Sequence, residues 1–198
     1  MFWKVCGMRD LKNIEAVAAC EPDFMGFIWV ANSKRFVGDD FVIPALPSKT
    51  KAVGVFVNET VEKIVFLSQK AGFRYVQLHG DEGQMEIEAL QNAGLIVIKA
   101  ISVASERDVS GLAMKPDYFL FDTKKGNQVG GTGERFDWSI LQAYALEVPY
   151  FLAGGLDEES IREAKTLRGL FALDFNSKLE LSPGLKDLTK VKEIKKKI

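Results

Sequence analysis

Apolar residues fall in eight short runs along the chain: FWKVC (2–6), FMGFIWV (24–30), KAVGVFV (51–57), YVQLH (75–79), LIVIKAI (95–101), YFLFD (118–122), PYFLAGG (149–155) and LFALDF (170–175). Runs of about four to eight such residues, bounded by glycine, proline or polar clusters, predict buried strands. Between them the apolar spacing widens to three and four, predicting helices over 60–72, 82–94 and 157–167, and MRDLKNIEAVAAC after the first run reads the same way. Gly72 and Gly94 stand where the first two of these helices would stop. Strand then helix, repeated eight times, leaves two packings, an open doubly wound sheet and a closed (β/α)₈ barrel. The count favours the barrel, so the expected architecture is α/β: a compact single-domain (β/α)₈ TIM barrel over 1–198, near the lower length limit of that fold. DDFVIPALPSKT (39–50) carries two prolines and predicts a shortened helix after the second strand. In the tail, Leu185, Leu188, Val191, Ile194 and Ile198 recur at helical spacing. They predict a final helix docked by its apolar stripe, with solvated lysines complementing its C-terminal dipole, rather than a basic interaction arm.

Charge and cysteine content act mainly by exclusion. With 26 basic and 27 acidic residues, a net charge of −1 and a pI near 6.0, the chain lacks the basic excess of a nucleic-acid binder. Two cysteines, Cys6 and Cys20, are too few for a disulfide framework in a domain of this size and read as free thiols of a reducing compartment. No leader-like segment opens the chain, and no apolar run reaches the roughly 18–20 residues that cross a bilayer. The expectation is a soluble cytoplasmic protein, monomer or homodimer, with neither nucleic acid nor membrane as partner.

In a barrel of this kind the chemistry stands at the C-terminal strand ends. Those ends carry Cys6, Arg35 in ANSKRFV, Asn58, His79, Asp122, the AGG of 153–155 and the DFNS of 174–177. Each has a plain structural role open to it: Asp122 as a loop cap, Arg35 in a surface ion pair, His79 as a hydrogen-bonded scaffold residue, Cys6 as packing. Together, an acid, a thiol, a guanidinium and an imidazole on separate strands would converge on one mouth. Gly154 and Gly155, before a predicted helix with early acidic residues, suit either a tight turn or backbone contact with an anion. The loops after strands seven and eight are where such barrels bind phosphate, so a phosphorylated small molecule is the natural ligand. GNQVGGTGERFDW (126–138) has the glycine content of a loop that moves over a substrate, and lacks the lysine and spacing of a P-loop.

Taken in order, KVCGMRD, GFIWVANSKRFV, VGVFVNE, VQLHGDE, IKAISV, FLFDTKKGNQVGGTGERFDW, PYFLAGGLDEESI and DFNSKLELSPGLKD resemble phosphoribosylanthranilate isomerase of tryptophan biosynthesis. QLHGDE, and FDT followed by GGTG and FDW, are its more specific stretches. Two departures concern loop shape: Lys178 stands where the family often has glycine, and the segment after SKRFV is short. The resemblance implies an Amadori rearrangement of N-(5-phosphoribosyl)anthranilate to 1-(2-carboxyphenylamino)-1-deoxyribulose 5-phosphate, with neither metal nor organic cofactor. It implies Cys6 as general base and Asp122 as general acid. It places Arg35 at the anthranilate carboxylate, His79 as a polar contact at the mouth, Gly154, Gly155, Asn176 and Ser177 in the phosphate region, and Asp174 with the substrate-binding set. An ordinary aspartate and an ordinary cysteine are both in the wrong protonation state at pH 7, so the site is expected to push the carboxyl up and the thiol down. Lys4, on the strand face of Cys6, either supplies that positive charge or pairs structurally with Asp174. Gly7 gives the chain a tight exit beside the thiol. Two rival classes stay open on sequence grounds, a neighbouring phosphate-binding barrel lyase or synthase and a non-catalytic metabolite sensor.

Overall fold

A computed structural model of the chain describes residues 1–123, 136–145 and 147–198. Eight parallel strands close on one another in chain order: β1 (Phe2–Val5), β2 (Phe24–Ile28), β3 (Lys51–Phe56), β4 (Tyr75–Leu78), β5 (Ile96–Val103), β6 (Tyr118–Thr123), β7 (Tyr150–Leu152) and β8 (Leu170–Phe175). Closure is made by β1 and β8, which pair Lys4 with Asp174 in register. Every predicted run contains one of these strands, and the barrel expectation holds.

Among the described residues the helical layer is thinner than a strict eightfold repeat. The α-helices there are α1 (Leu11–Ala18), α2 (Val61–Ala71), α3 (Gln84–Asn92), α4 (Ser160–Ala164) and α5 (Leu188–Lys197). Asp10 caps α1 by accepting from the Asn13 N–H, and Thr60 caps α2 in the same way through Lys63. Gly72 stops α2 with φ 80, the left-handed stop expected of it. The shortened helix predicted over 39–50 is absent: residues 29–50 form turns and loop, since two prolines and scattered apolar positions leave no helical stripe to bury. Among the described residues, a single 3₁₀ segment follows β5 (Glu106–Asp108) and another lies in the link from β6 to β7 (Trp138–Ala143). The helix predicted over 157–167 contracts to the five residues of α4. The tail also differs, because Leu185 lies in β10 (Leu185–Lys186), paired antiparallel with β9 (Glu180–Ser182) in a hairpin that periodicity did not reveal. Val191 and Ile194 do dock α5 on the core, with Leu188 and Ile198 packed beside them.

Alternation along the strands divides the interior in two. Between sheet and helices lies the larger core, including Val5, Ile14, Phe27, Leu78, Leu90 and Phe121. Inside the barrel, rings from the N-terminal ends of the strands form a floor: Phe24 lies 5.3 Å from Tyr75 and 5.2 Å from Phe151, and Phe171 lies 4.6 Å from Tyr118. Tilted and edge-on contacts of this kind suit aromatic quadrupoles. The floor seals the bottom, so inward-facing polar side chains gather above it, toward the C-terminal mouth.

Candidate active site

The inward face of β1 carries Lys4, whose charge is fully buried. Its ammonium donates to Asp174 Oδ2 of β8 at 2.8 Å and to Gln77 Oε1 of β4 at 2.7 Å. Burial works against that charge, but Asp174 and Cys6 outweigh it and hold Lys4 above its ordinary range. Lys4 therefore fills both roles left open by its sequence position, as the partner of Asp174 and as a positive charge beside Cys6.

One turn of the pleat further on, Cys6 leaves β1 with its thiol buried. Two glycines make its surroundings possible. Gly7 adopts φ +78, and a Cβ there would sit 2.6 Å from Arg35 Cδ and 2.8 Å from Asn176 Oδ1. On β2, a Cβ at Gly26 would sit 2.6 Å from Cys6 Sγ, so glycine leaves the sulfur its room. The expected lowering of the thiol is overturned: burial pushes Cys6 up, Lys4 and Lys186 pull it back, and Asp174 adds to the rise. In a dry pocket desolvation of a thiolate outweighs two lysines whose charges are largely neutralised by carboxylates.

Asp122, near the end of β6, moves as expected. Burial pushes its carboxyl up to about 6, against the pull of the Thr123 N–H, which donates to Oδ1 at 2.8 Å. Its Oδ2 faces His79 Nε2 at 3.7 Å. His79 follows β4 and is driven down to about 4 by burial and by the nearby charges of Lys4 and Lys99, so the ring is neutral at pH 7.

A second polar network orders the rim. Arg35 makes a two-pronged pair with Glu180, Nε to Oε1 at 2.8 Å and Nη2 to Oε2 at 2.6 Å. Lys186, buried in β10, donates to Glu180 Oε1 at 2.8 Å and to Asn176 Oδ1 at 2.9 Å. Asn13 of α1 holds the Lys186 backbone through both its N–H and its carbonyl. Arg35 is thus neither a free fork nor a surface pair: Glu180 engages its Nε and Nη2 and leaves Nη1 out of the pair. Glu180, Lys186 and Gln77 are the partners of the candidate site residues that the sequence reading missed. Gln77 was within reach of strand parity, two residues before His79, whereas nothing local marks Lys186 as buried.

Cys6, Arg35, His79, Asp122, Gly154, Gly155, Asp174, Asn176 and Ser177 all line one cavity of about 490 Å³ at the C-terminal mouth, with Lys178 at its edge. Gly154 and Gly155 have φ of 90 and 65, and a Cβ on Gly154 would meet the Thr123 side chain. The helix expected directly behind them begins only at Ser160, whose N–H donates to Asp157 Oδ1 at 3.1 Å. Asn58, also a strand-end residue, does not reach the cavity. With φ 51 it braces the loop after β4, its N–H donating to Glu82 Oε1 at 2.6 Å and its Oδ1 accepting from the Asp81 N–H at 2.7 Å. Lys99 secures the same loop through Glu82 at 2.9 Å. Most of the glycine-rich stretch 126–138, read as a loop over the substrate, lies outside the described residues. Among the described residues no group of three His, Cys, Asp or Glu side chains is placed to hold a metal ion, and no helix is long and apolar enough to cross a membrane.

The chain and its fold have counterparts among known proteins. Residues 3–197 match the family model described as N-(5′-phosphoribosyl)anthranilate (PRA) isomerase. A relative from Parabacteroides distasonis, named N-(5′-phosphoribosyl)anthranilate isomerase, is 39% identical over 201 residues, spanning 97% of this chain and 90% of its own. The crystal structure of phosphoribosyl anthranilate isomerase from Thermus thermophilus superposes with a TM-score of 0.88 at 26% identity, covering 100% of this chain and 98% of that one. A second phosphoribosyl anthranilate isomerase, solved in complex with reduced 1-(o-carboxyphenylamino)-1-deoxyribulose 5-phosphate, gives 0.80 at 29% identity with the same coverage. A closed barrel whose mouth gathers a thiol, a carboxyl and an arginine, matched from first strand to last helix, leads to one assignment: the chain belongs to the N-(5′-phosphoribosyl)anthranilate isomerase family.

Proposed function

We propose that the chain converts N-(5-phosphoribosyl)anthranilate to 1-(2-carboxyphenylamino)-1-deoxyribulose 5-phosphate, with Asp122 as general acid and Cys6 as general base. The observation that carries the role assignment is the meeting, in one cavity, of a carboxyl pushed up to about 6 and a buried thiol from a different strand of the barrel. Asp122 gives its proton to the furanose ring oxygen, and the ring opens to a protonated Schiff base. Cys6 as thiolate then takes the C2′ proton, and the resulting enolamine tautomerises to the ketone. At pH 7 a carboxyl with pKa about 6 is protonated in about one molecule in ten. The working form therefore differs from the resting one by a proton held on the carboxyl instead of on sulfur. Substrate that expels water from the cavity raises Asp122 further, while Lys4 and Lys186 favour the thiolate.

Arg35 meets the anthranilate carboxylate with the edge that Glu180 leaves open. The loop of Gly154 and Gly155, with Asn176 and Ser177, receives the phosphate. Asp174 contributes Oδ1, which is buried and has no hydrogen-bond partner among the described residues. The ligand printed for the liganded relative, a phosphorylated carboxyphenylamino sugar, supports this substrate class. Two free cysteines fit a reducing, cytoplasmic setting.

The test is turnover of freshly generated phosphoribosylanthranilate, followed by loss of its fluorescence, for wild type, Cys6→Ser and Asp122→Asn. Activity in wild type with losses of about 10²–10⁴ in each variant is the expected result. A folded wild type without turnover overturns the reaction, and an active wild type with an unimpaired variant overturns that residue's role.

A further inference from the structure

Two hydrogen bonds on the inward face of β4 settle which nitrogen of His79 carries the proton. An ammonium has only donors, so the Gln77 atom facing Lys4 at 2.7 Å is the carbonyl Oε1. The other end of that amide is the NH₂, and it lies 2.9 Å from His79 Nδ1. An amide NH₂ only donates, so Nδ1 accepts and the neutral ring bears its hydrogen on Nε2. That Nε2 is buried and has no hydrogen-bond partner among the described residues, and at 3.7 Å Asp122 Oδ2 is too far to accept from it. A buried donor left without a partner is costly, and the ring that bears this one lines the cavity.

We propose that Gln77 is a positioning residue: clamped by Lys4, it holds His79 as the Nε2–H tautomer and so aims a neutral donor at the ligand oxygen that Asp122 protonates. The identity of that oxygen rests on the proposed isomerase reaction; the tautomer does not. A ring oxygen has two lone pairs and accepts from Asp122 and His79 together. The opposite tautomer would turn a lone pair toward Asp122 and offer its proton an acceptor other than substrate. Burial with Lys4 and Lys99 nearby keeps the ring neutral and the donor in place.

His79 is the single histidine of the chain, so ¹⁵N-histidine labelling reports on this ring alone. In the full-length wild type the expected spectrum has a pyridine-type Nδ1 and a pyrrole-type Nε2; protonation at Nδ1 overturns the inference. In Gln77→Glu the carboxylate still accepts from Lys4 but now also accepts from the ring, so Nδ1 becomes protonated. With that switch kcat falls about 10- to 100-fold, the size of effect known for loss of the group that orients a metal-bound histidine. A folded variant with an unchanged ring spectrum overturns the clamp, and a switched ring with unchanged kcat overturns its catalytic purpose. Should Gln77→Glu fail to fold, Gln77→Met is read the same way, its expected result being loss of the single-tautomer spectrum. Absence of wild-type turnover would sink the isomerase reading and leave the ring spectrum to judge the clamp separately.

Discussion

Replacing Lys4 by methionine removes one charge from the centre of the barrel, and the surroundings of that charge set the cost. Lys4 and Asp174 form a buried pair at 2.8 Å, with side-chain exposures of 0% and 7%. Breaking a buried pair by deleting one partner costs about 3–5 kcal/mol, because the remaining charge is left uncompensated. Asp174 lines the cavity and can regain some solvation there, so the lower figure of about 3 kcal/mol applies. In a chain of this size that lowers Tm by about 6–12 °C. The cost also depends on pH. Burial already pushes the Asp174 carboxyl up, and Lys4 is the first of the groups that pull it back. Without Lys4 its folded pKa rises further above the unfolded value of about 3.9, so between the two the native state binds more protons and stability falls as pH rises. Urea unfolding of Lys4→Met should therefore show a larger loss at pH 8 than at pH 5, and Lys4→Met with Asp174→Leu should recover most of it. The same substitution removes the largest force holding the Cys6 thiol down. In a Cys20→Ala background the pH profile of Cys6 alkylation should move upward. A cost below about 1 kcal/mol at pH 8, or an equal cost at both pH values, would refute the reasoning about the pair. An unmoved alkylation profile would show that Cys6 does not sense Lys4.

For Asp122→Asn, the folded carboxyl at about 6 against an unfolded value near 3.9 means that ionisation burdens the fold, with the burden appearing as pH rises through that window. The variant should match or exceed wild-type stability at pH 8, by up to about 3 kcal/mol, while losing activity; lower stability at pH 8 in thermal unfolding would contradict this. Glu180 is the opposite case, since Arg35, Lys186 and the Gly184 N–H overcome its burial and hold it at about 2. Its contribution is present above about pH 4.3 and fades as pH falls toward 2, so Glu180→Gln should cost about 2–3 kcal/mol at pH 7 and far less near pH 2.5. Equal costs in urea unfolding at the two pH values would count against the Arg35–Glu180–Lys186 network. Gly26→Ala drives a methyl group into the space of Cys6 Sγ, 2.6 Å from the added carbon. It should lower kcat by at least about tenfold with secondary structure retained, as displacement of a reacting atom does, and steady-state rates equal to wild type would show that the sulfur has room to spare.

Local features that repeat with a period were legible in the amino-acid order alone. Eight apolar runs specified eight strands, and the strand ends marked Cys6, Arg35, His79, Asp122, Gly154, Gly155, Asp174, Asn176 and Ser177, which line one cavity, along with Asn58, which does not. Periodicity failed where elements are too short or too dependent on neighbours to have a period. Examples are the missing helix in 39–50, the five-residue α4 and the hairpin that takes Leu185 out of the tail helix. The electrostatics were decided by tertiary structure, because a pKa depends on burial and on charges far apart in the chain. Lys4 and Asp174 are 170 residues apart, and Arg35 and Glu180 are 145 apart. No local signal states that two lysines beside Cys6 are spent on carboxylates, which is why the thiol rises where the sequence suggested that it would fall. The tautomer of the single histidine has the same origin, set by a lysine on one strand acting through an amide on another.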